Sequence, residues 1–275
     1  MPSRTDYNHI GRRYDDEPVR QRPADPELVK YLDGLAPADL ADIAALDIGC
    51  GTGIQLVENR RRFAAPRMVG LDRHEAMLDA ARKKATDIEW VHGDATNLPF
   101  SDAEFDYVST QFCFHHVADK PAMLKEAFRV LRPGGRFVML NMDPWQMRDW
   151  DIYRFFPEAW DHDEHDFLPL EELRGLLAAV GFSEDGSETL RFENESSLAE
   201  RFDFFQERYS PSQLLAIGDD AFERGLERVA ALLNEAGGRQ RRWVSRVCIV
   251  RLVLGKRSHD ITPHAKAGNR SPACV

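Results

Sequence analysis

Two hydrophobic rhythms take turns along the chain. Short, mostly apolar runs open at residue 43 and recur at 67–71, 88–92, 105–110 and 136–142, a length and texture that predict strands. Between them the apolar positions recur with helical spacing. Leu28, Leu32 and Leu35 share one face of a helix over 27–42. A glycine-rich turn within 43–63 feeds a second helix, a third spans about 74 to 85, and a fourth lies near 120–131. His74-Glu75 opens the third helix and Lys83-Lys84 closes it, a charge order that suits the helix dipole. Pro133-Gly134-Gly135 breaks the chain before the strand at 136–142. Strands alternating with helices in this way predict an α/β fold: a parallel sheet with helices on both faces.

Beyond residue 142 the rhythm loosens. Residues 143–166 are rich in aromatics: Trp145, Trp150, Tyr153, Phe155, Phe156 and Trp160. A helix at 170–180 ends at Gly181-Phe182, a strand lies within 182–192, and residues 196–235 are helical with breaks at Pro211 and Gly218. The last strand, Val247 to Leu254, is apolar on both faces and so is expected inside the sheet. The polar tail 258–275 is expected to be disordered.

Composition narrows the partners. The 275 residues hold 36 Lys and Arg against 46 Asp and Glu, a net charge of −10. A grip on a phosphate backbone needs a positive footprint, so no nucleic-acid partner is expected. Cys50, Cys113, Cys248 and Cys274 show neither paired nor metal-like spacing. No apolar run approaches membrane-spanning length, and the expectation is a soluble, cytoplasmic protein without stable membrane insertion.

The chemistry gathers at strand ends. The first strand stops at Asp47 and breaks into Gly49, Gly51 and Gly53. A dinucleotide turn would carry glycine at position 54, which is Ile54. A pyrophosphate on the following helix would also face the Asp47 carboxylate, a repulsion of roughly 4 kcal/mol at about 4 Å. The same carboxylate attracts an ammonium or a sulfonium, and S-adenosylmethionine carries both. Asp72 ends the second strand, where an acid accepts from a ribose diol. Asp94, after Gly93 at the third strand end, suits an adenine amino group.

With these residues the chain resembles the class I S-adenosylmethionine-dependent methyltransferases, in particular the branch that includes the ubiquinone/menaquinone-biosynthesis methyltransferases. The stretches that carry the resemblance are Leu46–Gly53, Val69–Asp72, Gly93–Ala95 with Leu98-Pro99-Phe100, Phe105–Val108 and Val130–Phe137. It implies a doubly wound, Rossmann-like sheet of seven strands, mostly parallel, with the last strand antiparallel and a helical substrate cap. It implies S-adenosylmethionine as cofactor and S-adenosylhomocysteine as product. Asp47, Gly49, Gly51 and Gly53 would hold the methionine portion, with Gln111 beside it. Asp72 would take the ribose, Arg73 and Met77 would flank the adenosine, and Gly93, Asp94 and Ala95 would meet the adenine. Tyr14, in a leading segment ending Tyr14-Asp15, would cover the sulfonium as part of a lid.

The resulting expectation is a single domain over 1–257, with a lid segment (1–34), a cofactor-binding core (35–142), and a cap with the C-terminal strands (143–257). A small-molecule acceptor is expected, with oligomeric state open. His116 is the candidate general base for the transfer, against a purely packing role. The aromatic stretch 145–160 is either core or the wall of the substrate cap, and its place after the fifth strand favours the cap. His162 and His165 sit in an acidic stretch that reads as solvated, and no metal is expected. Two alternatives stay open. A nucleobase methyltransferase usually carries an acid or Asn before Pro-Pro-aromatic after the fourth strand, where this chain reads Ser109 to Phe114. A catalytically silent scaffold need not keep the three acids.

Overall fold

The structure is a computed structural model that describes Asp15, residues 22–208 and residues 212–257. Among the described residues, seven strands form one sheet in the order β3-β2-β1-β4-β5-β7-β6. The first four are β1 (Ala44–Ile48), β2 (Arg67–Asp72), β3 (Glu89–His92) and β4 (Phe105–Gln111). They are followed by β5 (Leu131–Met142), β6 (Ser183–Ser197) and β7 (Arg242–Gly255). β1 to β5 run parallel, and β7 enters antiparallel between β5 and β6. The interior place and antiparallel sense expected of the last strand are both found.

Helices α1 (Pro26–Asp33), α2 (Ile54–Arg62), α3 (Glu75–Lys84) and α4 (Lys120–Val130) connect and cover the parallel strands. α1 is shorter than the predicted 27–42. It stops at Gly34, and Asp39–Asp42 is a separate 3-10 turn. All five residues of β1 are buried, because this strand lies mid-sheet under helices on both sides. The Pro-Gly-Gly sequence does not precede β5 but sits within it as a bulge. From Phe105↔Leu131 to Tyr107↔Arg136, β5 advances five residues (131 to 136) while β4 advances two (105 to 107).

The chain after β5 builds α5 (Asp151–Phe155), α6 (Pro157–Asp166), α7 (Leu170–Val180), α8 (Leu198–Gln206), α9 (Ser212–Ala216) and α10 (Asp219–Leu233). α7 packs on the sheet through Leu173 and Leu177 and ends at Gly181, whose φ is +116°. The others form a second core. β7 pairs with β5 only from Ile249 onward, whereas its residues 242–248 pair with β6 alone, so this ribbon runs past the sheet and carries these helices. The aromatic stretch favoured as a substrate-cap wall belongs chiefly to this core. Phe155 and Phe156 pack edge-on against Phe205, and Trp150 packs edge-on against Tyr153. Phe156 is fully buried. A buried ion pair, Arg201 Nε to Asp151 Oδ2 at 2.7 Å, ties α8 to α5, and Ser245 Oγ donates to the other carboxylate oxygen at 2.8 Å. Among the described residues no helix is long and apolar enough to cross a membrane.

Candidate active site

A cavity of about 400 Å³ opens at the carboxyl ends of β1 to β4. Such clefts follow from a parallel sheet, whose strand ends and connecting loops face the same way. Gly49 and Gly51 form its floor. Both have positive φ, +76° and +56°, so the turn after β1 requires glycine for its backbone. A Cβ on Gly51 would meet nothing within 4 Å, which leaves its backbone open to a ligand. Gly53 differs. It has φ +72° and caps α2, and a Cβ there would lie 2.3 Å from the Trp90 ring. Gly53 does not line the cavity, and packing explains its glycine.

Asp72 ends β2 with its carboxylate held on both sides. Gly51 N–H donates to Oδ2 at 2.9 Å, and His74 N–H donates to Oδ1 at 2.8 Å with His74 Nδ1 at 3.2 Å. Arg73 and Met77 line the cavity beside it. At the end of β3, Gly93, Asp94 and Ala95 form the next wall. Asp94 Oδ1 accepts from Thr96 N–H and Thr96 Oγ1 at 2.8 and 2.7 Å, and these bonds hold its carboxyl below the usual range. Asp47 stands apart from the cavity lining. It is 7 % exposed, accepts from Ser109 Oγ at 2.8 Å, and burial pushes its carboxyl up to about 7.

Gln111 at the end of β4 and His116 in the following 3-10 turn complete the far wall. Burial pushes His116 down to about 4, with the charge of Asp166 at the end of α6 opposing it, so its imidazole is neutral at physiological pH. The neighbouring His115 has a packing role. It is stacked on Phe167 at 4.2 Å, and its Nδ1 lies 3.1 Å from Asn141 Oδ1. Tyr14 lies outside the described residues, as does the tail 258–275. Its neighbour Asp15 is described: it accepts from Thr52 Oγ1 at 2.5 Å and pairs with Lys84, which joins the leading segment to the glycine turn.

Several lining residues escaped the sequence reading. Phe112 holds φ +52° without being glycine, a strained conformation that no local pattern reveals. Cys113 faces the cavity and closes against Gly49, where an added Cβ would meet its Sγ at 2.2 Å. Burial pushes that thiol up to about 12, which makes it an inert wall. His74 was read only as the start of α3, yet its ring lies in the cavity beside Asp72.

The strand order, the inserted antiparallel strand and the cavity over the strand ends define the fold of the class I methyltransferases. Residues 46–139 match the methyltransferase domain family. A demethylmenaquinone methyltransferase of Staphylococcus saprophyticus is 44 % identical over 101 residues, which cover 35 % of this chain and 43 % of that protein. A ubiquinone/menaquinone biosynthesis C-methyltransferase of Roseobacter denitrificans is 35 % identical over 160 residues, 52 % of this chain and 63 % of the relative. The chain spans about half the length of the relatives it matches, 43 % and 51 % of the Staphylococcus saprophyticus and Thermotoga maritima demethylmenaquinone methyltransferases. Among solved structures, a protein of Anabaena variabilis assigned as a methyltransferase of an antibiotic biosynthesis pathway superposes with a TM-score of 0.60 at 22 % identity. That superposition covers 85 % of this chain and 99 % of the other, a likeness of fold.

Proposed function

We propose that the protein transfers a methyl group from S-adenosylmethionine to a small-molecule acceptor. The observation that carries the reading is Asp72, an acid at the tip of β2 whose carboxylate is locked by Gly51 and His74 inside a cavity of small-molecule size. A cavity of this size with an acid on each of two adjacent strand ends suits an adenosyl ligand. Asp72 would accept from the ribose hydroxyls, and Asp94 with Ala95 would meet the adenine. Met77 would pack on the nucleoside, and the open backbone at Gly51, next to Gly49 on the cavity floor, would admit the methionine portion. Tyr14 would cover the sulfonium, and the tie from Asp15 to Thr52 and Lys84 supports a lid at this place.

The bound cofactor supplies a methyl already activated by its sulfonium. The chain's own task is alignment and exclusion of water, and alignment alone contributes about 7–11 kcal/mol. His116 would take the acceptor's proton: its imidazole lines the cavity and is unprotonated at physiological pH, although burial that holds it at about 4 makes it a weaker base than ordinary histidine. Residues 143–257 would select the acceptor as a cap. The family match ends at residue 139, before this cap begins, so the quinone substrates named for the relatives do not by themselves define the acceptor here.

Calorimetric titration of the full chain with S-adenosylmethionine and S-adenosylhomocysteine, with NAD as control, tests the reading. Micromolar binding of the adenosyl ligands alone, weakened at least tenfold by Asp72→Ala, is expected. Binding indifferent to Asp72, or no adenosyl binding, would replace it with a non-catalytic scaffold.

A further inference from the structure

Behind the Gln111 wall lies a buried carboxylate that the transfer reaction leaves unused. Asp25 precedes α1 and is 3 % exposed. Its Oδ1 caps the helix by accepting from Glu27 N–H at 3.0 Å, and its own N–H donates to Asn59 Oδ1 at 2.7 Å. A cap needs one oxygen, and an uncharged Asn or Ser supplies it as well. The second oxygen, Oδ2, accepts from the buried Tyr107 hydroxyl at 2.7 Å and faces Gln111 Nε2 at 3.5 Å. Burial raises the Asp25 carboxyl, so the site keeps an acid where a neutral cap would be cheaper.

Gln111 is the link to the cavity. Its Oε1 faces Arg22 Nη1 at 3.4 Å, and the Arg22 guanidinium lies over the Phe112 ring at 4.2 Å. Both amide contacts are long, yet together they choose an orientation. With Nε2 toward the carboxylate and Oε1 toward the guanidinium, donor meets acceptor on each side; the flipped amide would set like against like twice. Asp47 stands on the adjacent strand, in register with Ser109 two residues before Gln111. The wall at Gln111 thus carries an amide whose nitrogen lies toward a buried acid and whose oxygen lies toward the Arg22 guanidinium, which itself rests on the Phe112 ring of the same wall. Such an oxygen suits the ammonium of an α-amino acid, and a guanidinium next to it suits the carboxylate.

Resting on the S-adenosylmethionine reading, we propose that Asp25 is a positioning residue for the amino-acid end of the cofactor, acting through Gln111 by holding its amide in one orientation. The side chain touches no ligand. It makes the site selective for nucleosides that carry the amino-acid tail over those that lack it.

The test compares two ligands on the full chain by calorimetry: S-adenosylhomocysteine, and 5′-methylthioadenosine, which keeps the nucleoside and thioether and lacks the tail. Asp25→Asn retains the helix cap and should weaken S-adenosylhomocysteine about tenfold, leaving methylthioadenosine within about twofold. In a Gln111→Met background the same substitution should change neither ligand. Equal weakening of both ligands, an undiminished effect without Gln111, or no effect at all overturns the proposal. Absence of any adenosyl binding to the unaltered chain is a different failure, that of the cofactor reading itself. Should Asp25→Asn fold poorly, Tyr107→Phe keeps the cap, removes the hydroxyl that aims Oδ2, and is judged by the same ligand pair.

Discussion

Replacing Asp47 with Asn should stabilise the ligand-free protein and impair it. Asp47 is 7 % exposed, and its carboxyl is pushed from 3.8 to about 7, first by burial, against the Ser109 hydrogen bond and with the charge of Asp25 adding to the rise. The native carboxyl therefore keeps its proton over a range in which the unfolded chain has lost it. Its contribution to stability is fully present below about pH 4, falls as pH rises, and is gone above about pH 7. Three pKa units at about 1.4 kcal/mol each make a loss of about 4 kcal/mol. Asn cannot ionise, and its Oδ1 still accepts from Ser109. The stability difference, variant minus wild type, should be near zero at about pH 4 and grow to about 4 kcal/mol by pH 8. Urea unfolding of both proteins at one-unit pH steps measures it. The subtraction cancels other titrating groups such as Asp163, which burial raises to about 6. On the expectation that Asp47 meets the amino-acid end of the cofactor, the same variant should bind S-adenosylhomocysteine about tenfold more weakly, and binding unchanged by the substitution would remove Asp47 from that role. A difference that is flat with pH, or that shrinks as pH rises, would refute the buried-acid account.

Gly53→Ala forces a Cβ to 2.3 Å from Trp90 at φ +72° and should cost about 2–4 kcal/mol in urea unfolding, whereas Gly51→Ala, at φ +56° with open space, should cost about 1. Equal losses would mean that Trp90 gives way. Asp151→Ala strands the buried Arg201 guanidinium and should cost about 3–5 kcal/mol, with α8 becoming the first site of proteolysis. Adding Arg201→Met should recover much of it, and no recovery would locate the cost elsewhere. With an acceptor in hand, His116→Ala should lower kcat about 100-fold, and the wild-type profile should bend near pH 4 rather than 6.5. A wild-type inflection near 6.5 that the variant lacks would contradict a buried, neutral imidazole.

The strand ends were legible because their signals are local. An apolar run that stops at Asp47, Asp72 or Asp94 and turns on glycine carries its own geometry, and that geometry brought Asp72, Asp94 and Gln111 to one cavity. Helix ends at Gly34 and Gly181 follow the same logic, although the first was read too far along the chain. Gly53 was misjudged because a glycine needed for a ligand and one needed for an indole look alike until Trp90, from another strand, stands over it. The rings at 145–160 were misjudged for a related reason, since pocket wall and core are both apolar and only their packing partners tell them apart.

What the sequence alone determined is the order of strands and helices, the place of Asp47, Asp72 and Asp94 at strand ends, and the likeness to a methyltransferase core, all of which depend on periodicity and short-range spacing. Tertiary structure alone decided which acid is buried and which is open, which of two adjacent histidines faces the cavity, and that Asp25 reaches Tyr107 and Gln111 across 82 and 86 residues of chain. Burial and charge pairing are set by neighbours brought in from distant segments, and no window along the chain contains them.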